Sequence, residues 1–254
     1  MRKIISTLLL SLISLPALAE NYNHSGIYLG LSGQNIRSEN EVKTSDPETG
    51  FSDCGHYAFG CGEDLNMNKW SISPHIGIQK QFSNNIVLGI EGKYDFSSII
   101  KNKISSQNNS GEEDADTGSV RIKNIGSISA KFGYVIQNSN VILNNSLIYG
   151  KVGYASLKSD TDLSDGHTFD TPHTMYGNPL THQGVIYGLG IEKPLDFISS
   201  TLKNTLIGIE YNHINLNTKN NNAIDNVGID NPGILTNPSI DSLGVKLQYK
   251  FSVL

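Results

Sequence analysis

The chain has 254 residues, of which 37% are hydrophobic and 17% are charged, and its formal net charge is −5 at pH 7. This acidic balance and the lack of a basic cluster exclude a nucleic-acid-binding arm. Beyond the N-terminal segment, no apolar run is long enough to cross a bilayer as a helix.

The N-terminus has the pattern of a secretory signal peptide. Arg2 and Lys3 precede an apolar run at 4–15, and small residues end at Ala19. A basic start, a short apolar stretch and a small-residue cleavage site are typical of export signals. We therefore expect residues 1–19 to be removed after Ala19, which leaves a single mature domain at 20–254.

Both cysteines lie in one short segment after the first predicted strand. Cys54 and Cys61 are separated by six residues, and His56 lies between them. An exported protein folds in an oxidising compartment, so we expect a disulfide between the two cysteines. This segment offers too few ligands for a zinc site.

Alternation with period two recurs along the mature chain and predicts about eight β-strands. Each has apolar side chains on one face and polar side chains or glycines on the other. The predicted strands cover 26–34, 70–82, 86–96, 125–135, 141–157, 184–193, 205–212 and 242–251. Their lengths suit tilted strands that cross a membrane.

The third predicted strand shows the two faces most clearly. Leu88 and Ile90 fall on its apolar face, and Glu91, Lys93 and Asp95 fall on the opposite face. In a soluble sandwich the charged face would meet water. In an outer-membrane barrel the apolar face meets lipid and the polar face fills the interior. The strand pattern alone allows both arrangements.

The links between the predicted strands favour the membrane barrel. Three are short or modest, at 83–85, 136–140 and 194–204, and four are long and polar, at 35–69, 97–124, 158–183 and 213–241. Short turns at one rim and long loops at the other are the layout of outer-membrane barrels. The sheet must close because lipid gives the backbone no hydrogen-bond partner. We therefore predict an all-β, closed antiparallel barrel with short periplasmic turns and four long extracellular loops. A secreted or periplasmic sandwich, or a lipocalin-like barrel, is the alternative.

Four segments carry a resemblance to a known family. IGSISAKFGYVI, GVIYGLGIEK, LIGIEYN and LGVKLQYKF resemble the OmpA-like, porin-family (opacity-type) small outer-membrane barrel surface proteins of α-proteobacterial type. The resemblance implies an outer-membrane location, contact with membrane lipid and lipopolysaccharide, and insertion by the barrel-assembly machinery. Members usually end on an aromatic residue that this machinery recognises. Tyr249 and Phe251 match that spacing, although three further residues follow.

This family does not fix one biochemical activity. We expect a surface protein without enzymatic activity or cofactor, whose barrel anchors acidic loops for adhesion or for contact with a host or surface ligand. About eight strands are too few for a wide channel, so a small porin is an alternative rather than the main prediction.

Nine charged side chains fall on the predicted inward face. We expect them to pair across a narrow lumen, because an unpaired buried charge is strongly destabilising. Four acids stand against five bases. They are Glu91, Lys93, Asp95, Lys131, Lys151, Glu192, Glu210, Lys246 and Lys250.

Two further sites are alternatives. The third long loop carries side chains that can ligate haem iron or a transition metal, namely His167, His173, Met175, Tyr176 and His182. A lipid A-modifying barrel would need a serine, a histidine and an acid on its lipid-facing surface. Glu210 and His213 supply the last two, but no serine stands beside them.

Overall fold

The computed structural model describes residues 22–45, 63–105, 116–138, 140, 143–165, 173–176, 179–225 and 230–251. Its strands are β1 (Gly26–Ser45), β2 (Glu63–Gln81), β3 (Ile86–Ser105), β4 (Asp116–Ile136), β5 (Ser146–Asp165), β6 (His173–Tyr176), β7 (Leu180–Pro194), β8 (Thr205–Leu216), β9 (Lys219–Asp225) and β10 (Asp230–Phe251). Two 3₁₀ turns, Leu195–Phe197 and Ser200–Leu202, connect β7 to β8. The predicted signal peptide lies outside the described residues, so its cleavage stays a prediction.

Eight long strands form one closed antiparallel barrel. They follow the order β1, β2, β3, β4, β5, β7, β8 and β10, and β10 returns to pair with β1 from Ile27↔Phe251 to Ser45↔Gly233. The short strands β6 and β9 pair with each other and extend β5 and β10 on the side of the long links. The predicted closed barrel of eight strands is therefore confirmed.

No helix in the described part of the chain is long and apolar enough to cross a membrane.

The apolar face of each strand points outward. On β3, Leu88 and Ile90 are exposed whereas Glu91 and Asp95 are buried. The aromatic residues near the strand ends are exposed on the same outer face: Trp70, Phe96, Phe132, Tyr134, Tyr187, Tyr211, Tyr249 and Phe251. An outward apolar band with aromatic residues at its edges is the surface that a membrane barrel presents to lipid.

The strands continue further than predicted on the side of the long links. β1 runs to Ser45 instead of residue 34, and β10 begins at Asp230 instead of residue 242. The predicted boundaries followed the apolar alternation, which stops where the hydrocarbon layer stops. Backbone pairing needs no lipid and continues through the polar segments. The predicted long loops are therefore largely β-hairpins.

The predicted start of the fifth strand at residue 141 is wrong, because β5 begins at Ser146. The preceding residues form a turn in which Asn144 N donates to Asn140 O at 2.8 Å and Asn145 N donates to Ile136 O at 2.8 Å. Asn145 has φ 61°, a left-handed conformation that asparagine tolerates. Leu143, the described apolar residue of this segment, lies in the turn rather than in a strand.

Apolar clusters fill part of the interior, which differs from the predicted polar lumen. Toward the hairpins lies an apolar cluster that we call the apolar cap, formed by Ile36, Met67, Ile122, Ile125, Ala155, Leu157, Ile186, Ile214, Leu216 and Ile240. Toward the short turns lies a second apolar cluster of Val87, Val135, Leu147 and Tyr149. Most of the predicted inward charges therefore lie between two apolar clusters.

A bulge in β4 explains part of the apolar cap. The pairing with β5 shifts register between Lys123 and Ile125, and Asn124 has φ 32°. A bulge adds one residue to one strand and reverses the facing of the residues beyond it. Ile122 and Ile125 are therefore both buried, although strict alternation would send one of them outward.

Candidate functional site

Lys246 lies at the centre of a charged layer that crosses the lumen. Its Nζ is 2.7 Å from Glu91 Oε2, 3.1 Å from Glu210 Oε2 and 3.3 Å from Glu192 Oε1. These residues come from β10, β3, β8 and β7, which curve round the barrel. One ammonium group thus contacts three carboxylates supplied by three other strands.

Lys131 and Glu192 form the most deeply buried pair of this layer. Lys131 Nζ is 2.7 Å from Oε1 and 2.8 Å from Oε2 of Glu192, and neither side chain has exposed surface. The ammonium also donates to Gln79 Oε1 at 3.2 Å and lies 4.0 Å from the centroid of the Tyr149 ring. The aromatic face adds a cation–π contact where water is excluded.

Two further lysines complete the charged layer. Lys151 Nζ bridges Glu91 Oε1 at 3.1 Å and Glu210 Oε1 at 2.9 Å. Lys93 Nζ is 3.4 Å from Glu210 Oε1 and donates to Gln34 Oε1 at 2.6 Å. We define the charged layer as Glu91, Lys93, Lys131, Lys151, Glu192, Glu210 and Lys246.

Two predicted members lie on either side of this layer. Asp95 accepts hydrogen bonds from Ser73 Oγ at 2.8 Å and from the side chains of Ser71 and Gln34. Lys250 lies toward the short turns, where it donates to the carbonyl of Asn23. The structure thus brings seven of the nine predicted charges into one layer and places the other two beside it.

Two tyrosines hold the glutamates, and the sequence reasoning missed both. Tyr28 Oη donates to Glu91 Oε2 at 3.1 Å, and Tyr149 Oη donates to Glu210 Oε2 at 2.7 Å. The strand alternation places both on the inward face, but the predicted lumen set contained only charged residues. Each carboxylate of the layer therefore accepts from at least two donors, which suits a fixed structural layer better than a general base.

The profile of the outer membrane protein beta-barrel domain family matches residues 5–251. The chain belongs to this outer-membrane barrel family. The membership agrees with the closed sheet and the outward apolar band, and it places the protein in the outer membrane.

Solved outer-membrane barrels are similar to this family member at low sequence identity. Ail, the attachment invasion locus protein of Yersinia pestis, solved with the heparin analogue sucrose octasulfate, is 14% identical, with 87% of this chain and 99% of that chain covered and a TM-score of 0.34. The protease OmpT of Escherichia coli is 11% identical, with 92% and 99% covered and a TM-score of 0.51. OprG of Pseudomonas aeruginosa is 7% identical, with 92% and 100% covered and a TM-score of 0.47. No curated protein sequence matches significantly.

The predicted haem or metal loop of this outer-membrane barrel is only partly described. His167 and the side chains of His173, Met175 and Tyr176 lie outside the described part. His182 is buried, with Nε2 2.9 Å from Ser159 Oγ and Nδ1 3.0 Å from the carbonyl oxygen of Asn217. Both ring nitrogens are therefore engaged within the chain. Among the described residues, no three His, Cys, Asp or Glu side chains are arranged to hold a metal ion.

The other two candidate sites have different outcomes. Glu210 and His213 lie on opposite faces of β8: Glu210 belongs to the charged layer, whereas His213 Nδ1 is 2.9 Å from Asp241 Oδ1 on the outer side. The structure does not bring them together as a lipid A-modifying site would require. Cys54 and Cys61 lie outside the described residues, so their disulfide stays a prediction.

Proposed function

We propose that this outer-membrane protein is a non-conducting surface protein of the OmpA-like, opacity type, whose hairpins bind a ligand outside the cell. The charged layer is the observation that carries the proposal. Its seven side chains come from six strands and expose almost no surface. A layer of paired charges across a narrow lumen leaves no continuous water path, so transport through the barrel axis is not its use.

Conductance in planar bilayers tests the closed lumen. We expect purified protein to give no steady single-channel current under conditions in which a large porin, the positive control, conducts. Large steady currents would contradict the proposal and favour the small porin.

The hairpins support the second half of the proposal. Leu243 is an exposed apolar residue of the outer band, and β10 begins 13 residues earlier at Asp230. At about 3.3 Å per residue, this segment adds roughly 40 Å of strand beyond the apolar band. Acidic residues outnumber basic ones in the four long links. We infer a partner with a basic surface, since opposite charge favours encounter.

Adhesion of intact cells to an epithelial monolayer tests this role. The variant replaces residues 46–62 with a Gly-Ser linker of equal length, and cells that carry an empty vector give the background. We expect adhesion to fall toward background while the outer-membrane level and the heat-dependent electrophoretic shift of the folded barrel stay unchanged. Wild-type adhesion no higher than background would contradict the proposal.

The orientation has its own test. We infer that the hairpins face the outside and that the short turns face the periplasm, from the alternation of link lengths. Trypsin added to intact cells is expected to cut near Lys43, Lys101, Lys158 or Lys219 and to spare the barrel. Cleavage only after the outer membrane is opened would reverse this orientation.

A further inference from the structure

Two lysines lie directly opposite each other on the outer face of β4 and β5. Lys123 pairs with Lys158 in the register of these strands. The neighbouring pair, Ile122 and Ser159, is buried in the lumen, so both lysines point outward. Like charges directly opposite each other on adjacent strands destabilise a sheet. Arg121 lies two residues from Lys123 on the same face of β4, and we call Arg121, Lys123 and Lys158 the basic patch.

The basic patch has a single acidic neighbour. Asp160 is directly opposite Arg121 but forms its ion pair with Lys123, and its other oxygen, Oδ1, is buried without a hydrogen-bond partner. Arg121 Nε is also buried without a hydrogen-bond partner in the described part of the chain. Among the described residues, neither Arg121 nor Lys158 forms an ion pair. Three bases against one acid leave the patch with two uncompensated positive charges.

The bulge at Asn124 produces this arrangement. It puts the facing of β4 on the hairpin side out of step with its facing in the membrane band. Ile128 is exposed at an even-numbered position, whereas Arg121 and Lys123 face outward at odd-numbered positions beyond the bulge. The inserted residue therefore buries Ile122 and at the same time brings two cations to the outer surface. Bulges commonly re-aim side chains in this way next to functional sites.

The basic patch lies just beyond the apolar band on the hairpin side. Lys123 pairs with Ser98, which is two residues from the exposed Phe96. Lys158 is four residues from the exposed Tyr154. These separations are about 7 and 13 Å along strands that tilt by roughly 40°. Because lysine side chains are long and flexible, both ammonium groups reach the headgroup layer, which is roughly 5–8 Å thick on each side of a bilayer.

We propose that the basic patch binds one phosphate monoester on the headgroup of an outer-leaflet glycolipid. A phosphate monoester carries about 1.5 to 2 negative charges at pH 7 and has three terminal oxygens. It therefore matches the uncompensated charge of the patch and can bridge Lys123 and Lys158, while the guanidinium of Arg121 donates to a further oxygen. The choice of the outer leaflet rests on the orientation proposed above, whereas the site itself is tested in a bilayer without sidedness.

Native mass spectrometry of the folded barrel, released from phosphatidylcholine nanodiscs in the presence of EDTA, measures the binding of added bisphosphorylated lipid A. We expect Lys123→Gln with Lys158→Gln to lower the affinity at least tenfold. Arg37→Gln is the matched control, because it removes an exposed cation that Glu39 already neutralises, and it is expected to change the affinity less than twofold. Dephosphorylated lipid A, phosphatidylglycerol and inorganic phosphate are each expected to bind at least tenfold more weakly than lipid A. Equal affinity of the double variant and the wild type, or of any of these three ligands and lipid A, would overturn the proposal.

The like-charge pair allows a second measurement, whose outcome depends on the lipid. In phosphatidylcholine vesicles, Lys158→Gln is not expected to lower the urea midpoint of unfolding, because it removes the repulsion with Lys123. In vesicles that also contain lipid A, the same change is expected to lower the midpoint, because a ligand that binds only the folded barrel stabilises it and the variant binds that ligand less tightly. A purely structural role for Lys158 would give the same shift in both lipids. An equal fall of the midpoint in both kinds of vesicle, or no fall in vesicles with lipid A, is the result that argues against this site.

Discussion

Replacing Glu192 by glutamine removes a charge from the lumen with almost no change in side-chain volume. Lys131 then loses the negative charge of the Glu192 carboxylate, whose oxygens lie at 2.7 and 2.8 Å, in a place where its side chain has no exposed surface. The amide oxygen of the new glutamine can still accept one hydrogen bond, and Gln79 and the rings of Tyr28 and Tyr149 remain, but none of these partners carries a charge. Breaking a buried ion pair on one side typically costs about 3–5 kcal/mol, so we expect the free energy of unfolding to fall by that amount.

A double-mutant cycle separates the pair from its surroundings. Lys131→Met combined with Glu192→Gln removes both charges, and we expect the double variant to be at least about 2 kcal/mol more stable than the sum of the single effects predicts. Glu39→Gln is the control: Arg37 and Glu39 are 3.1 Å apart but 60% and 55% exposed, so it is expected to cost about 0.5 kcal/mol or less. Urea unfolding in lipid vesicles, followed by tryptophan fluorescence, measures all of them. A cost for Glu192→Gln below about 1 kcal/mol, or additive single effects, would refute the reasoning.

Three further predictions concern other parts of the barrel. Gly77→Ala is expected to lower the urea midpoint of unfolding, because an added Cβ would collide with the ring of Tyr28. Gly33→Ala is the control and is expected to leave the midpoint unchanged, because no atom lies within 4 Å of the added Cβ. Equal midpoints for the two variants would contradict this prediction. His24 precedes β1, and burial lowers its pKa from 6.5 to about 4. As the pH falls, His24 is therefore protonated in the unfolded chain before it is protonated in the folded protein. This difference contributes about 3 kcal/mol to the free energy of unfolding above pH 6.5, and the contribution is lost as the pH falls from 6.5 to about 4. His24→Gln should flatten that pH dependence, and an unchanged slope would argue against the assignment. Thiol titration of protein from the envelope should find no free thiol at Cys54 and Cys61, and reduction should leave the barrel folded; two free thiols before reduction would exclude the disulfide.

Strand facing could be predicted because it depends only on nearest neighbours in the chain. Leu88 and Ile90 alternate with Gly89 and Glu91, so one face had to meet lipid and the other the lumen. The same alternation assigned Lys151 to the inner face of β5, where it is buried. The local alternation was therefore sufficient to predict the barrel fold and the residues of the charged layer.

Pairing partners could not be predicted, because they depend on how far each strand slides past its neighbour. Lys246 meets Glu91 across the lumen, and nothing local to either residue specifies that contact. The bulge at Asn124 was also invisible, since it changes facing without interrupting the apolar pattern. Ile122 and Ile125 therefore became part of an apolar cap that a strictly alternating polar interior does not contain.

The position of Lys246 on the last strand has a consequence for biogenesis. Lys246 lies 155 residues after Glu91, and it also contacts Glu192 and Glu210. Before β10 arrives, Glu192 can still pair with Lys131, and Glu91 and Glu210 can pair with Lys151, but the ammonium that joins all three glutamates is missing. The gap left by the last strand also keeps this side of the charged layer open to water. Dehydration of the lumen thus coincides with closure of the β1–β10 boundary. A chain released before its final strand is complete would remain an open sheet with a hydrated lumen. The hydration of the lumen would therefore distinguish an unfinished barrel from a finished one.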